Sequence, residues 1–370
     1  MLIPGWQSRP APRGTPERVV ATPRRASGFA VRDGRIFVAF PRWDGADTTL
    51  LVLEQGAWHP YPDAAMQDLA AGPQALHSVN GLRLDARGYL WILDNARVDL
   101  RPAPPGAAKL VVWDVVHERE VFRHVFSEEA SPPGRSFLND LAVDEEDGYV
   151  YITDTGMGGP AALVVLELAT GRDWRALVGH PALEADPARV MSAAGVTMTR
   201  LTPDREEHAW RVGANPIAWD AHRERLLFGA MTSDDLFALP RAALQDPELS
   251  DVERVALLEY VGRKPASDGM AWRRDGLALI TDVEGAAIWC LDAEGGLARM
   301  AHHPEALFPV AIFLEGPETV WFSASALHGM PLLHAGEERA PGPWGLWRFA
   351  LPEGTVCAPP AAHPTDEATP

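Results

Sequence analysis

One arrangement of residues recurs six times along the chain and limits the fold more than any other feature. The copies begin "SGFAVRDGRIFVAF" at Ser27, "NGLRLDARGYLWILD" at Asn80, "NDLAVDEEDGYVYITD" at Asn139, "NPIAWDAHRERLLFGAM" at Asn215, "DGMAWRRDGLALITD" at Asp268 and, more weakly, "PVAIFLEGPETVWFSAS" at Pro309. Each reads as a short apolar strand, a polar turn and a second strand of strong β-formers. Gly34, Gly88, Gly148, Gly276 and Gly316 sit in the turns, as tight hairpins require. Successive start points lie 53, 59, 76, 53 and 41 residues apart, close to the roughly 40–50 of a four-stranded propeller blade with room for loops. Six such units, with Pro and Gly rather than amphipathic helices between them, predict an all-β, six-bladed β-propeller.

A propeller must close its ring, and a common device leaves no free edge by completing the last blade with a strand from the other terminus. "ERVVAT", 17–22, is the candidate, pairing with "GLWRFAL", 345–351. The expected organisation is a flexible tail over 1–16, one propeller over 17–352 and a flexible tail over 353–370. The longest gap, before Asn215, contains "HPALEADPARVMSAAG", for which one or two short helices over one face of the propeller are expected. "ALPRAALQDPEL", 238–249, reads as a further helical turn.

Composition removes several function classes. The formal charge is −18 and the pI about 5.1, against the clustered positive charge that nucleic acid or an anionic membrane demands. No apolar run approaches the roughly 18 residues of a transmembrane helix. The start carries no apolar core of a secretory signal, so the default compartment is cytoplasmic. Two cysteines, Cys290 and Cys357, leave one optional bridge and no zinc-type spacing. A monomer is expected.

The chain has four asparagines, Asn80, Asn95, Asn139 and Asn215. Three of them open a copy of the repeat, at the position where the fifth copy has Asp268 and the first Ser27; only Pro309 breaks the polar series. The innermost strand of each blade borders the central channel, so one repeat position taken from every blade makes a ring. Asn and Asp at strand starts also fix local turns, but three of four asparagines in one register argue for a shared task. The ring offers hard oxygen ligands, suited to Ca²⁺, Mg²⁺ or Mn²⁺ or to a polar small molecule. Asp140 is expected to point to the opposite side of its strand from Asn139. Asp94, Asp154 and Asp282, which close second strands, are expected to bond from blade to blade. Trp91, Trp113, Trp289, Trp321 and Trp347 are expected to pack between blades.

Several segments resemble, in order, the yellow/major royal jelly protein family: "FPRWDGADTTL" (40–50), "GYLWILDNA" (88–96), "KLVVWDV" (109–115), "FLNDLAVDEEDGYVYITD" (137–154) and "SDGMAW" (267–272). The resemblance implies a six-bladed propeller with a central ligand pocket. That family includes dopachrome-converting pigment proteins, amine-binding salivary proteins and food proteins without catalysis. Most are secreted with disulfides, which would place this chain outside the cell or in the envelope. Arg87 stands where the insect "D-x-C" motif has its cysteine, so that bridge is absent. A more distant resemblance, to gluconolactonase/regucalcin-like propellers, implies a metal on Asn139, Asn215 and Asp268, with Ser27 where those proteins have a glutamate.

Three functions follow. The chain could hold a small polar or aromatic ligand on Ser27, Asn80, Asn139, Asn215 and Asp268 and tautomerise a catechol-derived compound with Asp268 as base. It could be a metal-dependent lactonase in which Asp268 holds the cation. It could be a non-catalytic binding or envelope scaffold.

Overall fold

A computed structural model describes residues 2, 7, 11–201, 206–273, 276–291 and 296–351. Six antiparallel four-stranded sheets form the blades of a propeller. Their innermost strands are Gly28–Arg32, Val79–Leu84, Leu138–Asp144, Ala214–Asp220, Met270–Trp272 and Pro309–Glu315. These coincide with the six repeat starts, and each packs against the next around the ring. The sixth blade takes its outermost strand from the N-terminal end of the chain. Glu17–Thr22 pairs antiparallel with Trp344–Ala350, with Thr22 opposite Trp344 and Glu17 opposite Arg348. The tail expected over 353–370, Cys357 with it, lies outside the described residues, as does most of the tail before residue 11; Pro12 accepts a 2.7 Å hydrogen bond from Ala350 N–H. Cys290 is buried. No helix among the described residues is long and apolar enough to cross a membrane.

The core is divided among the blade interfaces. Trp321 packs with Val20, Phe29 and Val38 between blades six and one. Trp347 packs with Leu279 and Phe349 between five and six, and Trp91 with Leu141 and Ile152 between two and three. Trp113 borders the cluster between one and two. Trp289 instead donates 2.9 Å to Asp282 in its own blade.

The backbone at the head of the inner strands departs from simple pairing, and this shapes the channel. Leu138 pairs with Asp154 but Leu141 with Ile152, so Asn139 and Asp140 together oppose Thr153. Asn215 and Pro216 likewise oppose Gly229, and Val310 and Ala311 oppose Ser323. Two residues facing one is a β-bulge, which leaves a backbone N–H without a ladder partner. A hydroxyl on the second strand supplies the acceptor: Thr153 Oγ1 for Asp140 N–H at 3.3 Å, Ser323 Oγ for Ala311 N–H at 3.0 Å, and Thr281 Oγ1 for Asp268 and Gly269 N–H, both at 3.0 Å. Blade four has glycine there and needs no hydroxyl, because Pro216 has no N–H to satisfy.

Glycine follows the ring residue where a neighbouring strand comes closest. A Cβ on Gly269 would lie 2.1 Å from Val310 O, and one on Gly28 2.9 Å from Asn80 O. "SG" and "DG" are thus packing requirements of neighbouring blades.

The expected helices of the long gap are not formed. Among its described residues two small hairpins appear, Ser192–Ala193 with Val196–Thr197 and Thr199–Leu201 with Glu207–Ala209. Met191, Ala193 and Met198 are buried beneath them with Met231, Phe308 and Met330. That apolar patch over the channel end overrides the local helical preference of an Ala-rich stretch. The expected turn near 241 is a helix, Arg241–Gln245; a second, Asp251–Ala256, follows with a Ser250–Glu253 capping box.

Candidate functional site

A cavity of about 440 Å³ opens at the end of the channel covered by the hairpins. Its wall includes Ser27, Asn80, Asn139, Asn215 and Asp268, so all five expected ring residues converge. On the sixth side Val310 and Ala311 make an apolar arc.

The amides are linked head to tail. Trp43 Nε1–H donates 3.0 Å to Asn80 Oδ1, and Asn80 Nδ2–H donates 2.8 Å to Asn139 Oδ1 and 2.9 Å to Asn139 O. Asn139 Nδ2–H donates to Asn215 Oδ1, and the Asn215 amide faces the Asp268 carboxylate. The two ends fix the direction. An indole N–H can only donate and a carboxylate can only accept, so each amide between them has one allowed orientation. Ser27 stands beside this chain: its Oγ donates 2.9 Å to Asn80 O. Asn95 is outside it, donating 3.2 Å to Leu138 O and accepting 3.0 Å from Arg97 N–H in a turn.

Asp268 is 8% exposed. Burial pushes its carboxyl well above the usual range; the nearby Asp140 pushes the same way, and the Asn215 amide opposes both. Asp140 does not point away from the channel as strand alternation predicts. The bulge opposite Thr153 breaks the alternation and turns Asp140 to the same cavity as Asn139. Burial raises its carboxyl too, against Arg83, whose Nη2 lies 2.6 Å from Asp140 Oδ2. Two carboxylates therefore share one water-poor space, with a single guanidinium bound to one of them.

Trp43, Phe137 and Trp210 wall the cavity, and repeat reasoning does not find Trp43 or Trp210. Trp43 packs edge-on to Phe137 with centroids 6.2 Å apart. It is presented by Arg42, whose guanidinium donates to the carbonyls of Asp47, Gln67, Leu76 and His77. "PRWDG" can thus be read as a buried arginine that plants a tryptophan in the channel mouth.

Asp94, Asp154 and Asp282 bond within their own blades rather than between blades. Asp94 accepts from the N–H groups of His77, Ser78 and Ala96 at 2.7, 2.8 and 2.9 Å and from Lys109 Nζ at 2.9 Å. Asp154 accepts from Phe137 N–H at 2.7 Å and Gly156 N–H at 3.0 Å. Each fixes the loop that enters its inner strand, just before Asn80 and Asn139. Asp282 accepts from Gly285 N–H at 2.8 Å in a turn.

Among the described residues no three His, Cys, Asp or Glu side chains converge on a point that could hold a metal. The oxygens of Asn139 and Asn215 each accept one amide hydrogen bond, which leaves each one lone pair. With Asp268 they could offer a hard cation two neutral oxygens and one charge, a weakly binding donor set.

The chain is 24% identical over 312 residues to the Protein yellow of Drosophila erecta, and equally to that of Drosophila melanogaster. The match covers 78% of this chain and 56% of those proteins, so the chain spans little more than half the length of its curated relatives. Among solved structures, a gluconolactonase from Xanthomonas campestris superposes with a TM-score of 0.54 at 14% identity, covering 93% of this chain and 98% of that one. Regucalcin from Agrobacterium tumefaciens, a calcium-binding protein, gives 0.54 at 13%, covering 92% and 95%. At such identities these likenesses establish the propeller fold alone. The major royal jelly protein profile matches residues 77–307, well over half of the sequence, and the chain belongs to that family.

Proposed function

We propose that the cavity binds a small planar aromatic ligand and that Asp268 moves a proton on it, in a tautomerisation of the dopachrome type. The observation that carries this is a buried carboxylate, raised above its ordinary pKa, at the accepting end of a one-way amide chain in an aromatic-walled cavity. A raised carboxyl is a stronger base once ionised and can return its proton, which suits shuttling. The Asn215 amide holds the carboxylate, and Trp43 and Phe137 set the plane of the ring. In the reaction a ring C–H bond breaks toward Asp268, the electron pair moves into the conjugated carbonyl, and the carbonyl oxygen gains a proton. The change is an isomerisation, so no oxidant or reductant is consumed.

The test is turnover of dopachrome, with and without a chelator, by the wild type and Asp268→Asn. Turnover that survives chelation and falls at least about a hundredfold in the variant is expected; unchanged turnover in Asp268→Asn removes Asp268 from the mechanism.

A second reading is favoured by the convergence of Asn139, Asn215 and Asp268 in a fold shared with a gluconolactonase. There these three would hold a divalent cation, which when bound would polarise a lactone carbonyl. Lactone hydrolysis that appears only with Ca²⁺, Mg²⁺ or Mn²⁺ would select it. Silence on both substrates leaves the scaffold role.

A further inference from the structure

The cavity is electrically lopsided. Its depth holds Asp268 and Asp140; the hairpin side holds arginines. Of the three guanidiniums on its wall, Arg25 is neutralised by Asp44 and Glu338 and lies over Trp344. The other two, Arg200 and Arg211, have no carboxylate within ion-pair distance among the described residues. Arg211 is held by backbone carbonyls, Nη2 donating 2.7 Å to Pro187 O and Nε 3.3 Å to Arg189 O, so it is positioned while its charge stays uncompensated. Arg200 is exposed on the neighbouring strand. Some arginines of this chain are paired with acids, as Arg189 is with Asp234 and Glu284 and Arg241 with Asp144, and others, such as Arg42 and Arg97, are buried and spent on backbone carbonyls; Arg200 and Arg211 differ from both groups in standing exposed at a cavity mouth. In a protein of charge −18, two guanidiniums on one rim with no carboxylate beside them among the described residues make a positive patch against the field around them.

We infer that Arg200 and Arg211 form an anion subsite, and that the cavity takes a planar aromatic carboxylate with its ring between Trp43, Phe137 and Trp210 and its carboxylate at the rim. The opposite orientation would set the ligand's charge against Asp268 and Asp140. A guanidinium fork matches a carboxylate geometrically, and at the edge of an apolar cavity the pair is less screened than in open water. This rests on the reading of the cavity as a ligand site, but it concerns binding and not the proton transfer.

The experiment uses an unreactive pair of probes, indole-2-carboxylate and indole, titrated calorimetrically into the wild type, Arg200→Gln and the double variant Arg200→Gln/Arg211→Gln. The wild type is expected to bind the carboxylate at least about tenfold tighter than indole, with the advantage shrinking as salt rises. Arg200→Gln should lose roughly tenfold on the carboxylate, the double variant should bind both probes alike, and indole affinity should stay constant. Arg200 has no side-chain partner among the described residues, so its single variant remains informative if Arg211→Gln loosens the hairpin. Equal wild-type affinity for the two probes, an Arg200→Gln variant that keeps full preference, or failure of both probes to bind would each overturn the inference. Dopachrome turnover insensitive to Asp268→Asn, with the preference intact, would refute the proton-transfer reading alone.

Discussion

Asn139→Asp is nearly isosteric, yet it breaks the parity of the hydrogen-bonded chain. In the wild type, Trp43 supplies a donor at one end and Asp268 an acceptor at the other, and each amide passes the direction on. The substitution keeps the acceptor for Asn80 but removes the donor toward Asn215 Oδ1. Two acceptors then face each other in a buried place. The conflict is relieved if the introduced carboxylate takes up a proton, or if the Asn215 amide reverses and Asp268 takes one up. Either way the folded variant must bind one proton more than the wild type. At a pH where that proton is unavailable, a buried charge faces a carbonyl, at a cost of about 1–3 kcal/mol, with the nearby Asp140 and Asp268 adding to it. The sign follows from linkage: the folded variant binds more protons than the unfolded chain, so the deficit is small in acid and grows as pH rises through the carboxylate range. Thermal unfolding of both proteins at about pH 3.5 and pH 8 reads it. Differences between the two cancel the wild type's own titrations. Near-equal Tm values at about pH 3.5 are expected, with the variant lower by roughly 1–4 °C at pH 8. A Tm difference independent of pH would refute the one-way chain.

Asp268→Asn should stabilise the fold while it abolishes the proposed turnover. The folded Asp268 carboxyl is raised, so its penalty is absent below the unfolded value near 4 and builds as pH rises; the variant's Tm gain should be on the order of 2 °C or more at pH 8 and vanish in acid, by scanning calorimetry. Lys109→Met should destabilise the protein by about 3–5 kcal/mol in urea unfolding, because Lys109 and Asp94 are both fully buried, 2.9 Å apart, and the change strands the carboxylate. Burial alone would raise Asp94, but Lys109 and the His77 and Ser78 amides hold it below the usual range; the wild type should therefore lose this contribution only as pH falls through that depressed value.

The repeat made the fold legible because a blade cannot bury its faces alone and neighbouring copies must supply the cover. The closing strand 17–22 was legible for the same reason, an unpaired edge needing a partner. The polar ring was legible because symmetry turns one repeat position into a circle. What was hidden depended on departures from that symmetry or on long-range closure. Alternation along a strand sends Asp140 outward, but the bulge opposite Thr153 turns it in. Its trace is present in the sequence as Thr153, Thr281 and Ser323 at one position and Gly229 opposite Pro216, yet it is readable only once the pairing is known. Trp43 and Trp210 lie outside the repeated strands, and only closure of the ring brings them to Asn80 and Phe308. The Ala-rich stretch 180–195 carries a helical preference that loses to the burial of Met191 and Met198.

The break at Pro309 is then as informative as the five polar positions. A closed circle of amides would pair each member with both neighbours and would present no charged group to a ligand. Here the circle is opened by the apolar Val310 and Ala311, so the hydrogen-bonded chain has two ends. One end is capped by an indole that can only donate. The other must be an acceptor, and it is the single residue of the ring that carries a charge. The orientation of three amides, the choice of Trp43 and the placement of Asp268 are therefore one constraint. A channel built this way holds its carboxylate by one amide and leaves the rest of that group's capacity facing the cavity.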